Sequence, residues 1–158
     1  MPRVHHVKKA RKDNPVAKAG EPYYWWQFAF GPKMYSATPP KRSQLTRSAF
    51  LSALYDLQDG LANRFTDIDS IEDDKQDLIQ ELNDMLDEAQ GSLENMPEHL
   101  QETSDSGMML QERIDNLENW VNDLDNIDTD YDEGLSEKDK EERFNDIVSE
   151  IMETDQYF

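Results

Sequence analysis

The residues of this chain with the clearest spacing for chemistry are carboxylates. From Asp128 to Asp139 the sequence runs Asp128-Thr129-Asp130-Tyr131-Asp132-Glu133-Gly134-Leu135-Ser136-Glu137-Lys138-Asp139, between two stretches of helical periodicity. A calcium loop sets oxygen ligands at its first, third, fifth, seventh, ninth and twelfth positions. Asp128, Asp130 and Asp132 fit the first three of these, Ser136 the ninth and Asp139 the twelfth, and Leu135 falls where an apolar residue is usual. Two features oppose the match. Glu133 stands where a glycine makes the sharp turn, and Asp139 is shorter than the bidentate glutamate that closes such loops. The segment therefore reads as an acidic turn, and no metal is expected.

The remaining chemistry-bearing types are sparse. His5 and His6 have no cysteine or second histidine pair near them, His99 is isolated, and there is no cysteine. No paired-histidine zinc motif, glycine-rich phosphate loop or nucleophile elbow occurs. Carboxylates are so abundant that pairs arise at every spacing, so none singles itself out as an acid–base couple. A non-enzymatic protein without a cofactor is expected, and the absence of cysteine fits a reducing compartment.

Charge is informative where catalysis is not. Residues 1–50 carry ten Lys or Arg against two acids, Asp13 and Glu21, a formal +8, whereas residues 51–158 carry six against 33 acids, a formal −27, giving −19 for the chain. Two differently charged partner surfaces are the natural reading. The basic end interleaves cations with aromatics. Lys8, Lys9, Arg11, Lys12, Lys41 and Arg42 are candidates for phosphate, and Tyr23 and Trp25 beside Lys33 are candidates for stacking bases or gripping a peptide. A solvated tail and a packed aromatic cluster are the competing readings.

The elements that must hold these groups follow in chain order. Residues 1–20 have neither helical nor strand periodicity and read as a basic arm. Tyr23-Tyr24-Trp25-Trp26-Gln27-Phe28-Ala29-Phe30, then Gly31-Pro32-Lys33 and Met34-Tyr35-Ser36, read as a β-hairpin. Tyr24, Trp26, Phe28 and Phe30 fall on one face and Tyr23, Trp25, Gln27 and Ala29 on the other. After the stiff Thr38-Pro39-Pro40 connector, Ser43 or Thr46 is expected to cap a helix bearing Leu45, Ala49, Phe50, Ala53, Leu54, Leu57 and Leu61. Ser70 with Asp73 suggests a capping box for a long acidic helix ending at Pro97, whose seam is Ile71, Leu78, Leu82, Met85, Ala89 and Met96. Residues 97–106 look turn-like. Leu110, Ile114, Leu117, Val121 and Leu124 define another helix from about Gly107 to Ile127, and Ser136 with Asp139 opens a last one carrying Phe144, Ile147, Val148 and Ile151.

The expected fold is mainly α: an antiparallel, coiled-coil-like helical hairpin or bundle with a small N-terminal aromatic β-hairpin. The expected divisions are a basic arm (1–20), hairpin plus first helix (21–65), and acidic helical bundle (66–158). The seams are also long enough to pair two copies of the chain. No apolar run has the length to span a bilayer, so no membrane association is expected.

Pro2-Arg3-Val4-His5-His6-Val7-Lys8-Lys9-Ala10-Arg11-Lys12, Tyr23-Tyr24-Trp25-Trp26 and Pro39-Pro40-Lys41-Arg42-Ser43-Gln44-Leu45-Thr46 together resemble a set of small uncharacterised proteins of tailed bacteriophages. The likeness continues through Leu110-Gln111-Glu112-Arg113-Ile114 and Trp120. It implies a phage origin and a bacterial host cytoplasm, and nothing about mechanism. The aromatic hairpin with a following helix is also similar, in layout only, to the arm-binding domains of phage integrases. The expected role is a phage-encoded interaction protein that regulates or inhibits a nucleic-acid-handling machine through its acidic helices, with a protein partner there and nucleic acid at the basic end. A DNA-mimicking acidic decoy of a host enzyme and a virion or assembly component are the alternatives.

Overall fold

The computed structural model describes residues 1–158 and is mainly helical, with five α-helices and one small antiparallel sheet of three strands. The chain divides into two compact units, Met1–Asp59 and Gly60–Phe158.

The first unit is built on the sheet, with β1 (His5–Val7), β2 (Tyr23–Gln27) and β3 (Lys33–Ser36) in that spatial order. The aromatic run forms the central strand because bulky rings suit a pleated surface and find partners on both neighbours. The register pairs His5 with Trp25 and His6 with Tyr24 on one side, and Trp25 with Tyr35 and Trp26 with Met34 on the other. The sheet thus corrects one expectation. The basic stretch is not a structureless arm, because His5–Val7 is an edge strand. Three residues are too short for a periodicity to register, and pairing with β2 supplies what local sequence does not.

A single-turn 3-10 helix at Arg42–Leu45 precedes α1 (Ala49–Leu61). The cap is neither Ser43 nor Thr46. Ser48 Oγ accepts from Leu51 N (3.3 Å), and Ser43 is buried with its carbonyl accepting from Ser52 Oγ (3.1 Å). Leu54 and Trp26 are the large fully buried side chains of this unit.

The second unit contains α2 (Ile71–Glu94), a short α3 (Glu98–Gln101), α4 (Asp105–Asp125) and α5 (Glu137–Glu153). α2 and α4 lie side by side. Lys75 Nζ near the start of α2 donates to Ile127 O just beyond α4 (2.9 Å), and Gln90 near the end of α2 reaches back to Glu118 (3.4 Å). Buried Leu78, Leu82 and Ala89 face this pairing from α2, and Ile114, Leu117, Trp120 and Leu124 are buried on α4. Each large apolar side chain removed from water contributes about 1.5–3 kcal/mol. α5 adds Ile147 and Ile151, and Thr154 after it accepts from the Trp120 indole N–H at 2.8 Å.

Two helix starts differ from expectation. Ser70 makes no cap bond to the α2 backbone and instead donates to Asp74 Oδ2 (3.0 Å). α4 is capped by Ser104, which accepts from Gly107 N (3.0 Å), so Gly107 lies inside the helix. That glycine marks a close approach. A Cβ there would lie 2.2 Å from Gln101 O and 2.5 Å from Leu100 O, carbonyls of the α3 turn, a stretch that reads as loop in the sequence.

Gly107→Ala therefore has an expected sign opposite to helix propensity. Propensity alone favours alanine by about 1 kcal/mol in a helix interior. The carbonyl collision predicts a lower urea midpoint, and a rise would show that α3 moves freely. Leu117→Ala, at a fully buried seam position, should cost about 2–5 kcal/mol in the same measurement.

Candidate nucleic-acid interface

The basic residues after β1 sit on a closed loop. Ala10 N donates to Glu21 O and Gly20 N to Ala10 O, both at 2.8 Å, which ties the neck beside the sheet. Inside it, Asn14 Oδ1 accepts from Val16 N and Ala17 N (3.0 and 2.9 Å), and Ala10 and Ala17 are buried. Asp13 accepts from Ala19 N (2.8 Å) and Glu21 from Lys18 N (2.8 Å). The two acids of the first fifty residues are thus both engaged with loop amides, while Lys8, Lys9, Arg11 and Lys12 are exposed. A loop that satisfies its own backbone can hold cations outward at little further ordering cost.

The aromatic candidates are arranged differently from an open platform. Tyr23, Trp25 and Tyr35 share the sheet face opposite to that of buried Trp26. Trp25 is stacked with His5 at 4.1 Å between ring centroids and 8° between planes, and Lys33 Nζ from β3 lies 4.5 Å from its ring centroid. Because β1 and β3 flank β2 on opposite sides, both ring faces of Trp25 are covered by the protein's own groups. Tyr23 leans on Tyr35 at 6.2 Å, and His6 stacks on Tyr24 at 4.5 Å on the other side of the sheet. A base reaching Trp25 must displace His5 or Lys33. Arg42 caps the Tyr55 ring at 4.2 Å, and Lys41 stays exposed beside it.

Sequence reasoning missed the loop between β2 and β3. Simple alternation puts Phe30 on the Trp26 face, yet it is the most exposed large apolar side chain, at 108%, with φ of 59°. The strand ends at Gln27, so the two-residue alternation stops before Phe28. Arg47 carries no signal in the sequence that marks it out. Its guanidinium donates to Ala29 O (2.9 Å) and lies 5.1 Å from the Phe28 ring centroid. Phe28, Arg47, Leu51 and Tyr55 line an open cavity of about 440 Å³.

In the acidic unit, three of the prospective calcium ligands accept from backbone amides of their own loop. Asp128 Oδ1 accepts from Asp130 N (2.9 Å), Asp132 Oδ1 from Gly134 N (2.8 Å), and Ser136 Oγ from Asp139 N while donating to Asp139 Oδ2 (2.7 Å). Arg143 donates to the carbonyls of Asp128 (2.8 Å) and Asp130 (3.3 Å), and no set of three His, Asp or Glu side chains is gathered to hold a metal. Nearby, Tyr131 donates to the Asp69 carboxylate, which pushes the pKa of its hydroxyl up to about 12. Burial works against the Glu72 carboxylate, but hydrogen bonds from Thr129, Lys75 and Gln76 hold it below the usual range.

No family model, no curated protein and no solved structure matches this chain.

A ligand that binds only the folded state must raise the melting temperature. Millimolar calcium should therefore shift melting no more than the same concentration of magnesium. A calcium-specific rise abolished by Asp130→Ala would establish the loop as a site.

Proposed function

We propose that the chain is a non-enzymatic interaction protein whose first unit contacts nucleic-acid phosphate and whose acidic unit engages a basic protein surface. The observation that carries the reading is the coincidence of charge with architecture. Residues 1–59 hold ten Lys or Arg against four acids, and residues 60–158 hold six against 31. Each compact unit thus presents one sign, and association with oppositely charged partners is steered by that field. In the first unit, exposed cations on a closed loop supply the sequence-independent contacts that position a protein on a phosphate backbone. In the second, α2 and α4 serve as an antiparallel, coiled-coil-like scaffold for an outer surface carrying Asp73, Asp77, Asp84, Asp87 and Glu88, all exposed. The resemblance to phage proteins suggests regulation or inhibition of a nucleic-acid-handling machine in a bacterial host.

A second reading rests on that same outer surface. A stiff helical pair lined by carboxylates imitates a phosphate track, so the acidic unit would act as a decoy for a host nucleic-acid-binding enzyme. Recovery of one basic protein from nuclease-treated bacterial lysate, abolished when salt is raised, favours the decoy.

The main reading is tested on the full chain by anisotropy of a labelled oligonucleotide. Binding should weaken steeply between about 50 and 200 mM salt. Replacing Lys8, Lys9, Arg11 and Lys12 with Ala should lower the slope of log affinity against log salt by about one for each phosphate that is no longer neutralised. Absence of binding at low salt, or an unchanged slope in that variant, would overturn the phosphate role.

A further inference from the structure

The turn joining β2 to β3 is built to project one ring. Phe30 is fully exposed and adopts φ of 59°, a left-handed conformation that bulky side chains disfavour. Three separate hydrogen bonds hold the backbone around it. Gly31 N donates to Phe28 O (3.1 Å), Gln27 Nε2 donates to Gly31 O (2.8 Å), and Arg47 donates to Ala29 O (2.9 Å). Gly31 leaves room for the last of these: a Cβ there would lie 2.5 Å from the Arg47 guanidinium and push the end of that side chain aside. Exposing a phenyl ring in a strained, braced turn gains nothing for folding. Such outliers persist where the surroundings over-determine them, and they cluster at binding sites.

The ligand follows from charge and shape. No Asp or Glu occurs from Pro22 to Tyr55, although the chain is rich in acids, and the cations of that stretch are Lys33, Lys41, Arg42 and Arg47. Lys33 is three residues from Phe30, a reach of at most about 10 Å. Unlike Trp25, whose two faces are covered, Phe30 has both faces free to meet a planar group. We infer that Phe30 is a stacking finger for an unpaired base of single-stranded nucleic acid, with Lys33 meeting a neighbouring phosphate. The inference rests on the proposed phosphate contact and deepens it by naming the strand state and the residue that takes the base. A duplex offers no open base face without first being unstacked, which costs energy that a single strand does not demand.

The test uses the full chain with labelled oligothymidylate and with a duplex of the same length, at low salt. Phe30→Asn keeps a residue that tolerates the left-handed conformation and removes the ring. It should melt no lower than the parent while binding the single strand about tenfold more weakly and the duplex almost equally. Phe30→Trp should restore or tighten single-strand binding. If Phe30→Asn binds oligothymidylate as the parent does, the finger is overturned while the phosphate reading stands. An equal loss on both ligands overturns the single-strand assignment. If the parent chain binds neither ligand, the phosphate reading fails and takes this inference with it.

Discussion

The acidic unit depends on a single buried ammonium. Lys75 is the one charged side chain among the buried residues, at 4% exposure, and it sits on the α2 seam between Ile71 and Leu78. Its Nζ donates to Ile127 O at 2.9 Å and pairs with Glu72 Oε2 at 3.0 Å. A buried charge without partners would be strongly unfavourable, so the arrangement holds only while the chain leaving α4 presents that carbonyl. In a unit with 31 acids and six Lys or Arg, a cation at this position also offsets mutual repulsion among the carboxylates at the start of α2. Glu72 in turn accepts from Thr129, so the start of α2 and the segment after α4 are joined through one polar cluster. Arg64 and Glu81, bonded at 2.6 Å, make a similar but more exposed tie between the chain before α2 and the middle of that helix.

The helices were legible because burial follows a 3.6-residue period that runs long enough to stand out. Ile71, Leu78, Leu82 and Ala89 on α2, with Ile114, Leu117 and Leu124 on α4, are seam positions in the sequence and buried in the structure. Lys75 occupies the same seam at the step of four from Ile71, and only its charge hid it. What sequence could not display was anything set by contact with distant residues. β1 owes its existence to pairing with an aromatic strand, the α3 carbonyls pack where Gly107 leaves no Cβ, and Ser48 caps α1 because a 3-10 turn holding Ser43 delays the helix to Ala49. The charge division was legible because it needs no geometry. The disposition of the rings was not, since alternation predicts faces only while the strand lasts, and β2 stops at Gln27.

The first unit treats its aromatic residues in three ways. Trp26 is enclosed, Trp25 and Tyr24 are half-buried and stacked against the imidazoles of β1, and Phe30 stands free. That gradation arises from one short strand and its turn, without any change in residue class. The histidines, which as ligands lacked neighbours, instead extend the aromatic surface across the sheet. Pairing flat rings across strands at 4.1 and 4.5 Å gives a three-residue edge strand enough contact to stay in register.

The distribution of indoles gives each half of the chain its own optical reporter. Trp120 is the tryptophan of the second unit, wholly enclosed and bonded to Thr154, whereas Trp25 and Trp26 belong to the first. An indole pressed between an imidazole and an ammonium is open to quenching by its neighbours, while one inside an apolar seam emits in a dry environment. Loss of order in the acidic half should therefore redden Trp120 without brightening it, whereas disturbance of the sheet should redden enclosed Trp26 and also brighten Trp25, so a change of brightness marks the sheet. The two halves can be followed in one sample without attaching a dye.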